Sequence, residues 1–95
     1  MIVGICKLEL FLPETHSLKE KRQILRKIIG RTSEKFGVNV AEVDHQDLWQ
    51  RAALGFAVVG SDGGVLSSLL DRTIRAIEEM DLARITDRTT DLVDF

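Results

Sequence analysis

From Ile2 to Leu12 the chain alternates with a period of two, and no other segment limits its fold as strongly. Ile2, Gly4, Cys6, Leu8, Leu10 and Leu12 fall on one face; Val3, Ile5, Lys7, Glu9 and Phe11 fall on the other. That pattern is a strand buried on its first face and mixed on its second. Pro13 ends it, because a proline cannot donate to a sheet ladder. The periodicity then changes. Ser17 is a good N-cap and Glu20, three residues later, completes a capping-box pattern. Beyond it Leu18, Leu25, Ile28, Ile29, Thr32 and Phe36 share a narrow stripe at helical spacing, so a helix is expected to about Lys35 or Phe36. Gly37 is the natural residue to close it, and Gly30 points away from the stripe.

The rest of the chain repeats the theme. Val38 to Val43 reads as a strand made more polar by Asn39 and Glu42, and Ala53 to Val59 as a strongly apolar strand. Gly60-Ser61-Asp62-Gly63-Gly64 is a turn and helix start, with Ser61 or Asp62 as cap. Val65 to Met80 is an amphipathic helix with Leu66, Leu69, Leu70, Thr73, Ile74, Ile77 and Met80 inward. Ala83 to Phe95 alternates loosely, as a polar edge strand does. The order βαββαβ, with right-handed crossovers, predicts one α+β domain over residues 1–95: a ferredoxin-like four-stranded antiparallel sheet with two helices on one face. In that topology the first and third strands are central, and these are the two that are apolar on both faces.

Composition limits the function classes. An apolar share of 44% with 29% charged residues is ordinary for a globular domain. The single cysteine, Cys6, lies in an apolar run and has no disulfide partner, so a buried inert thiol is expected. No signal peptide is evident, and the longest uncharged run, Ala52 to Ser61, is too short to cross a bilayer, so a cytoplasmic, membrane-free chain is expected. The net charge of −2 argues against indiscriminate nucleic-acid binding but conceals an asymmetry. Residues 1–36 hold eight Lys/Arg against four acids, whereas residues 37–95 hold five Arg against eleven acids. One basic end suits local contact with a polyanion, and the acidic remainder discourages coating it.

Three candidate sites emerge. Lys19, Lys21 and Arg22 crowd the first helical turns, where the positive end of the helix dipole repels cations. Only Glu20 offers local relief, so an external anion is expected. Lys19, Arg22 and Arg26 fall on one flank, within about 60° of each other, and could grip successive phosphates. The plainer reading is a solvated flank whose arginine stems cover the core edge. The second candidate is the connection Asp44-His45-Gln46-Asp47-Leu48-Trp49-Gln50-Arg51, which lacks the chemistry of a tight hairpin. His45, Trp49 and Arg51 could contact RNA or a protein partner, since an indole stacks on a base or anchors an interface. Asp44, His45 and Asp47 could in principle ligate a divalent metal, but their spacing is not a metal motif, and no metal or cofactor is expected. The third is the sheet face away from the helices, where Val3, Ile5 and Phe11, with Trp49 alongside, would form an oligomer interface.

Catalysis is not expected. No Ser-His-Asp, Cys-His or C-x-x-C arrangement is present, and Gly60 to Gly64 matches neither phosphate-loop pattern. A phosphatase of the acylphosphatase type shares the topology but needs an anion-cradling loop after the first strand. Here that place is Pro13-Glu14-Thr15-His16, whose carboxylate opposes a phosphate.

Two segments carry a family likeness. Leu12-Pro13 followed by Ser17-Leu18-Lys19-Glu20-Lys21-Arg22, and Val40-Ala41-Glu42-Val43-Asp44-His45-Gln46-Asp47-Leu48-Trp49-Gln50-Arg51-Ala52, resemble the YlxP-like family of small bacterial proteins of unknown function. The resemblance spans nearly the whole chain. It implies the ferredoxin-like fold, no established catalytic residues, and genes that often lie beside those for transcription elongation, translation initiation and ribosome-binding factor A. The expected function is a non-enzymatic accessory protein contacting RNA or a ribosomal subunit, with Lys19, Arg22 and Arg26 on phosphates. The alternative is a homo-oligomeric interaction module, a homodimer through the open sheet face.

Overall fold

The computed structural model describes all residues 1–95. The chain runs β1 (Ile2–Phe11), α1 (Leu18–Phe36), β2 (Ala41–Asp44), β3 (Arg51–Gly60), α2 (Gly63–Glu79) and β4 (Arg84–Asp94). The strands form one antiparallel sheet in the order β2-β3-β1-β4, the ferredoxin-like arrangement. β1 pairs along its length with β3, from Ile2↔Gly60 to Phe11↔Arg51, and with β4, from Ile2↔Asp94 to Phe11↔Arg84. The two most apolar strands, β1 and β3, are therefore the central ones, each flanked by a neighbour on both edges and covered by helices on one face. β4 is an exposed edge, and a bulge between Glu9 and Leu10 shifts its register.

The helices start and stop where their caps dictate. Ser17 is extended and its Oγ accepts the Glu20 amide at 3.1 Å, while Glu20 Oε2 accepts the His16 amide at 2.8 Å. The reciprocal pair satisfies two amides that the first turn leaves open. α1 ends at Gly37, whose φ of 65° is the left-handed conformation a side chain resists. Asp62 caps α2 by accepting the Val65 amide at 3.1 Å.

The core lies between helices and sheet: Cys6, Leu8, Leu10 and Leu12 from the first segment, Ala52, Leu54, Phe56 and Val58 from β3, and Leu25, Ile28, Leu66, Leu70, Ile74 and Ile77 from the helices. Two boundaries differ from expectation. β2 begins at Ala41; Val38 and Val40 are buried in the core but precede the strand. Arg51 and Ala52 belong to β3, which shortens the middle connection to residues 45–50. Core burial alone made 38–40 look strand-like, because apolar alternation marks inward side chains whether or not the backbone is paired.

Candidate functional site

The β2–β3 connection is fastened from below by a single side chain. Lys21 is 1% exposed, and its ammonium donates to the carbonyls of His45 at 2.8 Å, Gln46 at 3.3 Å and Arg51 at 3.2 Å. Its Nζ also lies 2.9 Å from Glu42 Oε2 on β2. Three N–H groups face four oxygens, so the carboxylate acts chiefly as the counter-charge. This pairing makes burial of the ammonium tolerable, since an unpaired buried charge costs several kcal/mol. The expectation that the first-turn cations await an external anion is thus wrong for Lys21. It sits on the same stripe as Leu25, Ile28 and Thr32, all buried, and the protein's own oxygens surround it. The signal missed in the sequence was that angular position, four residues before Leu25.

A second set of bonds ties the connection to the chain between β1 and α1. Thr15 Oγ1, buried, donates to the Trp49 carbonyl at 2.6 Å, and Gln50 Nε2 donates to the carbonyls of Pro13 at 3.1 Å and Thr15 at 3.3 Å. The Leu12 amide donates to Gln50 O at 2.8 Å, and the Leu48 amide to His45 O at 3.0 Å. His45 adopts φ 62°, which turns its ring back across β3. There Nε2 meets Glu9 Oε2 at 3.0 Å, bridging from the β2 side to β1 over Ala53. Ala53 has Asp44 and Glu9 as register partners and is fully buried beneath that bridge. His45 is therefore engaged internally rather than displayed to a partner. Asp44 Oδ1 accepts the His45 amide at 2.8 Å, and this bond, with the nearby His45 charge, holds the Asp44 carboxyl below the usual carboxylate range.

The side chains of the connection, in contrast, are left outside. Trp49 is 55% exposed and Leu48 43%. With Phe11, Asp47, Gln50 and Arg51 they line an open groove of about 450 Å³ at one end of the sheet. Lys19, Arg22 and Arg26 are exposed on α1, and no carboxylate lies within ion-pair distance of them. Lys27, Arg31 and Lys35 occupy the opposite flank of the helix and are exposed too. Lys21 joins the two features: it lies between Lys19 and Arg22 in sequence and reaches under the Trp49 loop.

The open sheet face divides into two ends. Val3 lies between Val59 and Val93, and Ile5 between Ala57 and Asp91, forming an apolar area in which Ile5 is 43% and Val59 64% exposed. Phe11 does not join it. Lys7 and Glu9 separate the two, and Phe11 instead lines the Trp49 groove. Asp44, His45 and Asp47 do not gather into a metal site, because His45 Nε2 faces Glu9 and Asp44 turns to the backbone. Cys6 is buried, and desolvation pushes its thiol up to about 11, far from the range of a working nucleophile.

The whole chain has relatives. Residues 3–90 match the family model described as "Protein of unknown function (DUF503)". The chain is 34% identical over 89 residues to "Uncharacterized protein YlxP" of Bacillus subtilis (strain 168), covering 93% of this chain and 97% of that one. Among solved structures it resembles the structural-genomics protein YJCS, with a TM-score of 0.60 at 11% identity, covering 97% of this chain and 99% of the other. It also resembles the de novo designed protein Foldit4, with a TM-score of 0.55 at 14% identity over 100% and 99% of the two chains. At these identities the structural likenesses speak to fold alone. No helix is long and apolar enough to cross a membrane.

Proposed function

The chain belongs to the DUF503 family, and we propose that it is a non-enzymatic accessory protein that contacts structured RNA or a ribosomal particle through α1. One observation carries the reading: Lys19, Arg22 and Arg26 form an exposed flank without intramolecular counter-charges, while Glu20, the nearest acid in sequence, is spent on the His16 amide. Cations held at i, i+3 and i+7 follow one line along the helix and meet successive phosphates. The acids concentrated after residue 36 keep the contact local.

Binding of ribosomal RNA by the parent and by Lys19→Glu/Arg22→Glu/Arg26→Glu, measured at several salt concentrations, tests it. The variant, confirmed as folded by circular dichroism, should bind more weakly with a salt slope reduced by about one per lost phosphate contact. Unchanged affinity in the folded variant removes the proposal.

A second reading rests on the other surface. The cross-strand row Val3–Val59–Val93, next to Ile5 and Ala57, leaves an apolar area on the sheet face that the helices do not cover. Such areas mark interfaces, and a second copy of the chain presenting the same face would bury it. Light scattering separates the outcomes: a monomer at high concentration counts against this module, and dissociation of a dimer by Val59→Asp supports it.

A further inference from the structure

We infer that the groove between Phe11 and Trp49 is a stacking site for an unpaired nucleobase in a single-stranded stretch of RNA, with Arg51 and Arg84 serving the flanking phosphates. The inference deepens the RNA reading above and rests on it. The 45–50 connection directs its main chain inward and its apolar side chains outward. Carbonyls 45, 46 and 51 are held by Lys21, carbonyl 49 by Thr15, and Gln50 is bonded back to residues 13 and 15. A loop pinned in this way through its backbone holds Trp49 and Leu48 in solvent without letting them collapse onto the core. A ligand meeting that surface loses little entropy in ordering it.

The charges choose the ligand. Phe11 has Arg51 as its register partner on β3 and Arg84 on β4, so its place in the sheet is bracketed by two exposed arginines. Arg51 lines the groove with Nη2 3.5 Å from His45 Nε2, and Arg84 borders the adjoining hollow beside Pro13 and Glu14. An apolar peptide anchor has no use for that bracket, whereas a nucleotide has a π-face for the indole and phosphates for the arginines. Asp47 on the rim can accept a hydrogen bond from an exocyclic amine of the base. Further along β4, Asp87 and Asp91 repel a phosphate backbone, which confines the strand to this end of the sheet.

The chain has one tryptophan and no tyrosine, so its indole emission reports on Trp49 alone. Emission is followed during titration with a short single-stranded oligoadenylate and with a blunt RNA duplex at low salt. The single strand should quench Trp49 and the duplex should leave it unchanged, even where the duplex binds α1. Phe11→Ala, checked for folding, should weaken the single-strand titration by about thirtyfold, the factor of a mid-range base–aromatic stack. Arg51→Ala, checked likewise, should weaken it and reduce its salt slope by about one. Equal quenching by the duplex, binding without quenching, or an Arg51→Ala titration identical to the parent's overturns the stacking site. So does an emission change that follows protein concentration without RNA, which assigns the groove to self-association. If quenching survives while Lys19→Glu/Arg22→Glu/Arg26→Glu binds ribosomal RNA normally, only the α1 reading falls.

Discussion

Lys21 on α1 and Glu42 on β2 form an ion pair of 2.9 Å, with the lysine 1% and the glutamate 22% exposed. The pair joins the two segments on which the family resemblance rests, so these form one structural unit. The helix supplies the cation, the connection after β2 supplies two carbonyls around it, and the first residue of β3 supplies a third.

Lys21→Met should therefore destabilise the fold by about 3 kcal/mol, as expected when one partner of a buried pair is removed and the other keeps partial access to water. Glu42→Gln should cost a similar amount, about 3 kcal/mol, because it leaves the buried Lys21 ammonium without its counter-charge. Urea denaturation followed by circular dichroism measures both. A Lys21→Met variant as stable as the parent contradicts the assignment of Lys21 as the clasp. Trp49 emission in the folded Lys21→Met protein should also shift toward the red as the loop loosens.

Two glycines, one within α1 and one that closes it, respond oppositely to alanine. Gly30 is exposed and a Cβ there meets nothing within 4 Å, so Gly30→Ala should stabilise the protein by about 0.5–1 kcal/mol through helix propensity. Gly37 has equal room but a φ of 65°, so Gly37→Ala should cost about 1 kcal/mol. Thermal melts of the two variants should move in opposite directions, and a shared direction contradicts the cap.

The His45–Glu9 bridge spans Ala53, which is fully buried. Ala53→Leu should force the ring away from Glu9 and cost about 1–3 kcal/mol by overpacking. Removing the obstacle with Glu9→Ala in the same chain should recover part of that loss. Strict additivity of the two substitutions in a double-mutant cycle contradicts the packing of the bridge on Ala53.

Alkaline stability carries the signature of Cys6. Its folded pKa, raised from 9.0 to about 11, keeps the thiol protonated where the unfolded chain already loses the proton. The native state therefore binds more protons, and stability falls as pH rises from about 9 through the folded value, by roughly 1–3 kcal/mol in total. Below 9 the contribution is complete. Parent and Cys6→Ala are compared by urea denaturation across that window. The parent should lose more stability than the variant, and parallel profiles contradict burial of the thiol.

Much of this architecture is legible in residue order because the information is local or periodic. Ser17 and Glu20 are three residues apart, and their capping bonds need no distant partner. The long apolar runs of Ile2–Phe11 and Arg51–Gly60 favour strands with a neighbour on each edge, and these are the two at the centre of the sheet. Where burial and pairing part company, as at Val38 and Val40, alternation alone misplaces the strand start.

The candidate site divides the same way. The sequence by itself determined that cations gather at the start of α1 and that an unusual polar and aromatic connection follows β2. It treated Lys19, Lys21 and Arg22 as neighbours of one kind. Helical spacing set Lys19 and Arg22 on one flank without Lys21, but only tertiary structure supplied the partners of Lys21, because the fate of a charge depends on which oxygens the fold brings within about 3 Å of it. Lys21 meets Glu42 and carbonyls from residues 24 to 30 positions later in the chain, while Lys19 and Arg22 meet solvent. Phe11 was likewise separated from Val3 and Ile5 and placed with Trp49, since sheet register and loop anchoring determine which side chains on a face are neighbours.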